Sequence, residues 1–575
     1  MASVLTRINE GTGEAKQAAH PFLWGIHRPM EDELTLTELE VRGAIPQALR
    51  GRYLRTGPNP VAADSASYHW FTGDGMVHGL AIRDGKALWY RNRWIGSRSN
   101  AAARGTAPAP GPRHGSSDTV NTNVVDLGGR AFAVVEGGSY PVELSETLDE
   151  QRYDNFGGSL VGSFTAHPHR DPLNGEHHGI CYEGRCPNEI RHVVLDATGS
   201  VVREAPIAVE HGPMIHDCAI TARYVVILDL PVTFSLAAHL SGQPLPFAWN
   251  PAHRARVGLM PRDGDQHAII WCDVDPAYVF HVANAFDLPD GRVVLDVCAY
   301  PTMFAGAPGG PDATSRGLER WTLDPAARTT TIRTIDGAPQ EFPRMNERRF
   351  GQAYRYAYVV ATQSDRRFQS ASRLYKHDLV EGGREVHDFG AGHHPGEFVF
   401  VPAHENAGED EGWLIGFVID GPSDTTEPGD PRRAQVRERS GRHDTPAAPH
   451  SAGLSRQLDQ RRRRTMNTIV TTMKDSIEMN RQTGSRIGLI AIEAGINFGL
   501  PLLIYDRVAP QSGDVVALMA SSLPPLIWSL VEFARRRRVD ALSILVLASI
   551  ALSLLAMLGA GPSAFSSCAR TSSRH

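Results

Sequence analysis

Short runs of β-branched, aliphatic and aromatic residues recur along most of this chain and constrain its fold more than any other feature. Gly, Asp, Asn and Pro separate them, and apolar residues at helical spacing are scarce before Thr465. The content of 55 Gly and 39 Pro provides turn formers for many chain reversals. The pattern predicts an all-β fold of many short strands, for example at residues 130–135, 223–230, 292–299, 357–361 and 398–402.

Charge and cysteine content narrow the class of protein. The net charge of −6 gives no reason to expect nucleic acid as a partner. The six cysteines are scattered, and Cys181 and Cys186 form the one close couple. This usage is typical of reduced thiols in a cytoplasmic protein. Residues 1–7 lack a long apolar core, so no secretory signal is expected.

Three histidines lie in or beside sequence with strand character. His216 precedes the apolar run 224–230, His167 lies in an Ala-His-Pro turn, and His281 follows Phe280 in a strand-like stretch. Each of them, taken alone, is more often a hydrogen-bonded core or surface histidine than a metal ligand. Their combination with nearby carboxylates therefore decides the interpretation.

Three glutamates border apolar runs: Glu136, Glu341 and Glu397. A carboxylate next to a buried strand has to be paired or hydrogen-bonded, and a histidine ring N–H is a suitable donor. Such carboxylates fix the orientation of metal-bound imidazoles. Composition alone also allows three ordinary glutamates in turns or edge strands.

The ordered motifs of the chain resemble those of the carotenoid cleavage oxygenases, from about residue 21 to 427. The segments 52–60 and 71–79 could by themselves be turns between strands, but they stand in the family's order with 136–138, 166–168, 214–217, 280–286, 341–346 and 397–402. The resemblance implies a seven-bladed β-propeller with a dome of loops and helices.

The resemblance also implies a non-haem Fe2+ held on the propeller axis by four histidines. His167, His216 and His281 match three of these ligands, and His169 is not the one expected to bind. Glu136, Glu341 and Glu397 match the carboxylates that orient them. Imidazole is a suitable ligand for iron that reacts with O2.

The activity implied by the resemblance is O2-dependent cleavage of a C=C double bond into two carbonyl products. The substrate would be a carotenoid, an apocarotenoid or a stilbene-like compound, held in an apolar tunnel. No protein acid or base is expected in the central step.

The fourth histidine of the family, in a Gly-Phe-His-Gly-Asn-Trp-like motif, is absent. Residues 428–465 are instead rich in Arg and Pro, as in a disordered linker. A shift of reading frame is the other interpretation. With chosen synonymous codons, the frame one nucleotide later encodes the missing motif, with its histidine codon across Ser455 and Arg456. That frame also has a TGA stop at Met466, whatever codons are chosen.

From Met466 the composition resembles that of a small bacterial integral membrane protein of the septation-protein-like kind. About three transmembrane α-helices are predicted, although buried helices of a soluble domain would also be apolar. The basic residues 535–538 favour a cytoplasmic connector, which would anchor the chain in the inner membrane with the propeller in the cytoplasm. The apolar stretches are 487–505, 515–531 and 541–561.

These observations divide the chain into a propeller at 1–427, a linker at 428–465 and a helical membrane segment at 466–575. Two functions remain open. The first is an iron-dependent dioxygenase whose activity is impaired in this chain. The second is a catalytically inactive, membrane-tethered propeller or binding protein, or a frameshifted fusion product.

Overall fold

The computed structural model describes residues 20–420 except 185, 307–308 and 365–368, together with a strand at 434–438 and the isolated residues Ile504 and Arg507. The chain divides into two compact units, Met1–His443 and Asp444–His575. Only Ile504 and Arg507 are described in the second unit, so the architecture given below is that of the first.

Antiparallel sheets form most of the first unit. The first three sheets comprise β1 (Thr35–Leu36), β2 (Gly51–Pro58), β3 (Gly75–Arg83) and β4 (Lys86–Trp94); β5 (Asn123–Leu127), β6 (Arg130–Val134), β7 (Val142–Leu144) and β8 (Gln151–Tyr153); and β9 (His169–Arg170), β10 (His177–Tyr182), β11 (Glu189–Leu195) and β12 (Val201–Ala208).

The next sheet has eight strands, in which two four-stranded meanders are joined through the single parallel pair Asp273–Thr329. The strands are β13 (Ala219–Ile220), β14 (Tyr224–Asp229), β17 (Arg256–Pro261) and β18 (Ile270–Asp273), then β19 (Tyr278–Asp287), β20 (Val293–Tyr300), β21 (Leu318–Asp324) and β22 (Thr329–Asp336). A small separate sheet pairs β15 (Val232–Phe234) with β16 (Phe247–Trp249).

The last two sheets comprise β23 (Gln340–Arg344), β24 (Tyr356–Thr362), β25 (Ser370–Asp378) and β26 (Arg384–Asp388), followed by β27 (His393–Pro395), β28 (Val399–Pro402), β29 (Gly412–Asp420) and β30 (Ala434–Glu438). Counting the eight-stranded sheet as two meanders, the described residues form seven four-stranded units in chain order, with the separate pair β15 and β16 between β14 and β17 of the fourth. The predicted all-β fold is confirmed.

The first and last sheets pack against each other and bring the two ends of this strand series together. Leu49, Tyr53 and Leu80 share an apolar cluster with Trp413 and Ile415. The Tyr53 hydroxyl donates a hydrogen bond to the Glu397 backbone carbonyl at 3.0 Å. Buried apolar contacts thus connect β2 and β3 to β29.

Helices are short in the described part of the chain. The α-helices are α1 (Arg98–Arg104) and α2 (Leu236–Leu240), each with a serine that caps its N-terminus. The remaining helices are 3-10 turns at Pro21–Leu23, Gly25–His27, Trp70–Thr72, Phe156–Gly158, Gln266–Ala268 and Glu347–Arg349.

The region after residue 420 is described only in part. β30 lies inside the segment 428–465 that the sequence predicts to be a disordered linker, and it pairs with β29 over five residues; the rest of that segment lies outside the described residues. No helix within the described ranges is long and apolar enough to span a membrane. The three stretches predicted as membrane helices lie outside these ranges, except for Ile504.

Candidate metal centre

The three predicted histidine ligands lie at the start of three successive units of the fold. His167 is two residues before β9, His216 is three residues before β13, and His281 is inside β19. β9, β13 and β19 each occupy an edge of their unit, since each is the first strand of a meander. The three histidines therefore occupy equivalent positions, each at or just before the first strand of its unit.

The structure brings these three imidazoles together. The Nε2 atom of His216 lies 3.0 Å from Nε2 of His167 and 3.3 Å from Nε2 of His281. His216 is 6% exposed, and the three side chains form a group whose ligand atoms all lie within 4.8 Å of one another. Burial, and then the neighbouring imidazoles His216 and His281, hold the pKa of His167 well below its usual value.

Two of the predicted carboxylates contact the far nitrogens of these rings. Glu136 Oε2 lies 2.5 Å from Nδ1 of His216, and Glu341 Oε2 lies 2.8 Å from Nδ1 of His281. Glu341 is fully buried. Burial would lower the pKa of His281, but Glu341, together with Glu397 and Asp217, raises it above its usual value. The His281–Glu341 contact has the geometry of a hydrogen bond and places a proton on Nδ1 of His281, whereas Glu136 approaches His216 as a close charge contact without that geometry.

A proton on Nδ1 leaves the Nε2 lone pair of a neutral imidazole free. His281 then presents an unprotonated Nε2 at 3.3 Å from Nε2 of His216, an arrangement that a shared cation between them would stabilise. Imidazole nitrogen oriented by a carboxylate on its other side is a common ligand of divalent transition metals. The residues present therefore fit a metal ion.

Glu397 is placed differently from the other two glutamates. Its Oε1 accepts a hydrogen bond from Nε of Arg344 at 2.6 Å, and Arg344 also pairs with Glu347 at 3.1 Å. Burial would raise the pKa of Glu397, but Arg344, together with His281 and Arg55, holds this pKa below its usual value. Among the described residues, the Glu397 side chain hydrogen-bonds to Arg344 and to no histidine of the cluster, although its charge also acts on His281.

A second buried group lies directly beside the first. His169, Asp217 and Cys218 bring their potential ligand atoms within 4.8 Å of one another. His169 Nε2 lies 2.7 Å from Asp217 Oδ1, and the Cys218 thiol lies 3.9 Å from the backbone carbonyls of His167 and His178. The structure thus places His169 against Asp217 and outside the three-histidine cluster.

Aromatic side chains form one wall of the histidine cluster. The Phe280 ring contacts the ring of His216 at a centroid distance of 5.3 Å, and it also contacts Phe71 and Phe304. A cavity of about 1000 Å³ has Tyr68 and Ala305 in its lining, which lie close in sequence to Phe71 and Phe304. The surroundings of the cluster on this side are apolar.

Comparisons with known proteins decide the family. The sequence model described as retinal pigment epithelial membrane protein matches residues 27–428. The carotenoid cleavage oxygenase of Mycobacterium tuberculosis is 39% identical over 456 residues, with 71% of this chain and 91% of that protein covered. This chain belongs to the carotenoid cleavage oxygenase family. A carotenoid 9,10(9',10')-cleavage dioxygenase from Phaseolus vulgaris is 29% identical, with 70% and 82% covered.

Solved structures of the family share the fold. A lignostilbene dioxygenase from Pseudomonas brassicacearum matches with a TM-score of 0.62 at 24% identity, over 70% of this chain and 90% of that one. A cobalt-substituted apocarotenoid oxygenase from Synechocystis matches with a TM-score of 0.60 at 25% identity and the same coverage. The propeller-like all-β fold of the first unit is therefore that of the family.

Several features of the site were not predicted from the sequence. Arg344 lies inside the motif 341–346, but its pairing with Glu397 depends on contact between two sheets. Phe342 adopts a left-handed φ of 56°, which is rare for a bulky residue. Its ring lies 5.0 Å from that of His281. Asp217 directly follows His216 in the sequence, and this adjacency is a signal from which its place beside the cluster could have been predicted.

Proposed function

We propose that this protein is an Fe2+-dependent dioxygenase that cleaves a C=C double bond of a carotenoid, apocarotenoid or stilbene-like substrate with O2 to give two carbonyl products. The observation that supports this most is the convergence of the Nε2 atoms of His167, His216 and His281. Membership of the carotenoid cleavage oxygenase family supports the same reaction class.

In this proposal the three histidines hold the metal, and Glu136 and Glu341 orient His216 and His281. Iron(II), when bound, would supply the redox chemistry toward O2. The protein itself contributes rigid ligands, and Glu341 keeps the His281 ring in the Nδ1-protonated tautomer. No described acid or base is assigned a proton transfer in the cleavage step.

The apolar surroundings favour a substrate with a long unsaturated chain. The Phe280 ring contacts the rings of His216, Phe71 and Phe304, and the cavity that includes Tyr68 and Ala305 is lined mainly by Pro, Gly, Ala and aromatic residues. Binding in such a space excludes water and positions one double bond near the metal. The seven four-stranded units would be the propeller blades, and the longer connections, including α2, the dome.

We further propose that activity is impaired in the chain as it stands. The family resemblance implies a fourth histidine in a Gly-Phe-His-Gly-Asn-Trp-like motif, which the sequence lacks. Glu397 matches a ligand-orienting carboxylate, yet it pairs with Arg344. A site with three imidazoles and a nearby guanidinium should bind a divalent cation more weakly than one with four imidazoles.

The C-terminal part leads to a related proposal. Residues 428–465 would be translated out of frame, and 466–575 would be a membrane segment of about three helices that anchors the chain in the inner membrane with the propeller in the cytoplasm. The support comes from the sequence: three apolar stretches and the basic residues 535–538. Resequencing the gene around the Glu427 codon tests the frame, and membrane fractionation of the expressed chain tests the anchor.

The catalytic proposal is tested with two purified proteins: the 575-residue chain and a version whose frame is restored after Glu427. Each is assayed for bound iron and for O2-dependent cleavage of a panel of carotenoids, apocarotenoids and stilbenes. We expect cleavage by the restored protein and little or none by the 575-residue chain. An iron-loaded restored protein that cleaves no member of the panel would contradict the proposed function. Normal turnover by the 575-residue chain would contradict the proposed impairment and also exclude the alternative of an inactive tethered propeller.

A further inference from the structure

The Asp217 carboxylate touches all three segments that carry the clustered histidines. It follows His216 directly in the chain. Its Oδ1 lies 2.7 Å from Nε2 of His169, two residues after His167, and its Oδ2 accepts a hydrogen bond from the backbone N–H of Val282, next to His281, at 2.8 Å. Asp217 is 4% exposed, so these contacts are made away from solvent.

The contact with Val282 coincides with an irregular part of β19. The pairing of β19 with β20 shifts between Val279 and Val282 and again between Val282 and Asn284. A β-bulge re-aims the side chains around it and interrupts the regular ladder of hydrogen bonds. His281 lies inside this bulged stretch, and the Val282 N–H is donated to Asp217.

We infer that Asp217 is a positioning residue that ties the three histidine-bearing segments together and holds the bulge that aims His281 into the cluster. The inference rests on the proposed metal site and adds a residue to it. Asp217 acts through the ligands and does not itself bind the metal. His169 serves as the link to the His167 segment. This role also accounts for a buried histidine that lies beside the cluster without joining it.

A carboxylate is required at this position because its oxygens accept from three donors. Oδ1 accepts from His169 and from the Cys218 N–H at 2.7 Å, while Oδ2 accepts from the Val282 N–H. An asparagine has one acceptor oxygen, so its NH2 group would face a backbone N–H whichever way the amide is turned. Because Oδ1 has two donors and Oδ2 has one, the amide oxygen of Asp217→Asn is expected to keep the Oδ1 position and to release the Val282 N–H, although the size of the side chain is kept.

The chain offers a matched control in Asp229. This aspartate is fully buried, contacts Nε2 of His253 at 2.8 Å and pairs with Arg256 at 2.8 Å. It is a second buried Asp–His pair in the same unit of the protein, and none of its partners is adjacent to a clustered histidine. Asp229→Asn should disturb folding to a similar degree without moving His281.

The first experiment needs no metal. Hydrogen–deuterium exchange with mass spectrometry is measured on the full-length protein for the peptide that covers β19, residues 278–287. We expect Asp217→Asn to accelerate exchange of at least one β19 amide about tenfold or more, and Asp229→Asn to leave this peptide unchanged. Equal exchange of that peptide in Asp217→Asn and wild type would overturn the inference.

The second experiment measures Co2+ affinity of the same proteins by titration. Loss of an outer partner of a ligand typically weakens metal binding about 10–100-fold, which is the expectation for Asp217→Asn and for His169→Leu. His169→Gln retains a donor near the position of Nε2 and should stay within about threefold of wild type. Equal losses in Asp217→Asn and Asp229→Asn would show a purely structural role. Failure of the wild-type protein to bind Co2+ would count against the metal site, while the exchange result would still decide the role of Asp217.

Discussion

Two sides of the same histidine cluster are built differently. On one side, Glu136 and Glu341 contact the Nδ1 atoms of His216 and His281 at 2.5 and 2.8 Å. On the other side, Glu397 between β27 and β28 pairs with Arg344 at 2.6 Å. The first side has the form of a metal site with oriented ligands, whereas the second has a carboxylate neutralised by an arginine.

The difference shows that a carboxylate at a family position for orienting a ligand can pair with a different buried cation or donor when one lies within reach. A buried carboxylate needs a partner, and in this chain a guanidinium supplies it for Glu397. The pairing links two sheets and satisfies the charge, so the sheet that carries Glu397 can pack without the missing histidine. The functional consequence is an asymmetric site with three imidazoles on one side and an ion pair on the other.

The largest effect is expected from His281→Ala. It removes one imidazole and one of the donors to the fully buried Glu341, which keeps the hydrogen bond from the Phe342 N–H, so stability should fall by about 1–3 kcal/mol. Co2+ binding should fall by about 100-fold or more, as a ligand is lost. His192→Ala, at a buried histidine outside the cluster, is the control and should leave Co2+ affinity unchanged. Retention of wild-type affinity by His281→Ala would remove this histidine from the site.

A second pair of variants compares the two sides directly. Glu341→Gln should weaken Co2+ binding about tenfold or more, because the amide no longer fixes the His281 tautomer as a carboxylate does. Glu397→Gln removes the same charge but orients no histidine of the cluster, so its effect should stay within about fivefold. Isothermal titration of both variants measures the difference. Equal losses would mean that Glu397 supports the ligands as Glu341 does.

Arg344→Gln should have a smaller effect of opposite sign. Burial and the other two imidazoles lower the pKa of His167 most, and the Arg344 guanidinium lowers it further. The guanidinium therefore places positive potential beside the proposed cation site. Its removal should strengthen Co2+ binding by about fivefold at low salt, with less gain as salt rises. Weaker binding in Arg344→Gln would show that the arginine organises the site.

The smallest effect is expected from Tyr53→Phe. This change removes the hydrogen bond from the Tyr53 hydroxyl to the Glu397 carbonyl and should lower the free energy of unfolding by about 1 kcal/mol. Co2+ affinity should not change, because the contact joins the first and last sheets away from the imidazoles. Chemical denaturation measures the stability, and a loss of metal binding would indicate that closure between these sheets also positions the ligands.

The sequence predicts the regular part of this protein well. Alternating short apolar runs and turn residues indicate the all-β fold, and the ordered family motifs predict the group formed by His167, His216 and His281 with Glu136 and Glu341. The role of these residues in holding a metal stays a prediction. The Arg344–Glu397 pair and the Val282–Asp217 bond could not be predicted in this way, since they depend on the packing of separate sheets and on a bulge in β19. The strand Ala434–Glu438 was also missed, because it has a single β-branched residue and lies inside the Arg- and Pro-rich segment 428–465.

X-ray absorption spectroscopy of the Co2+-loaded 575-residue chain tests the three-histidine metal site most directly, because it counts the imidazole and sulfur ligands of the bound ion. We predict three imidazole nitrogens and no sulfur, with the imidazole count reduced in His281→Ala. A sulfur ligand would place the ion at His169, Asp217 and Cys218 instead. That result, or a spectrum with no imidazole ligands, would contradict the account of a three-histidine metal centre.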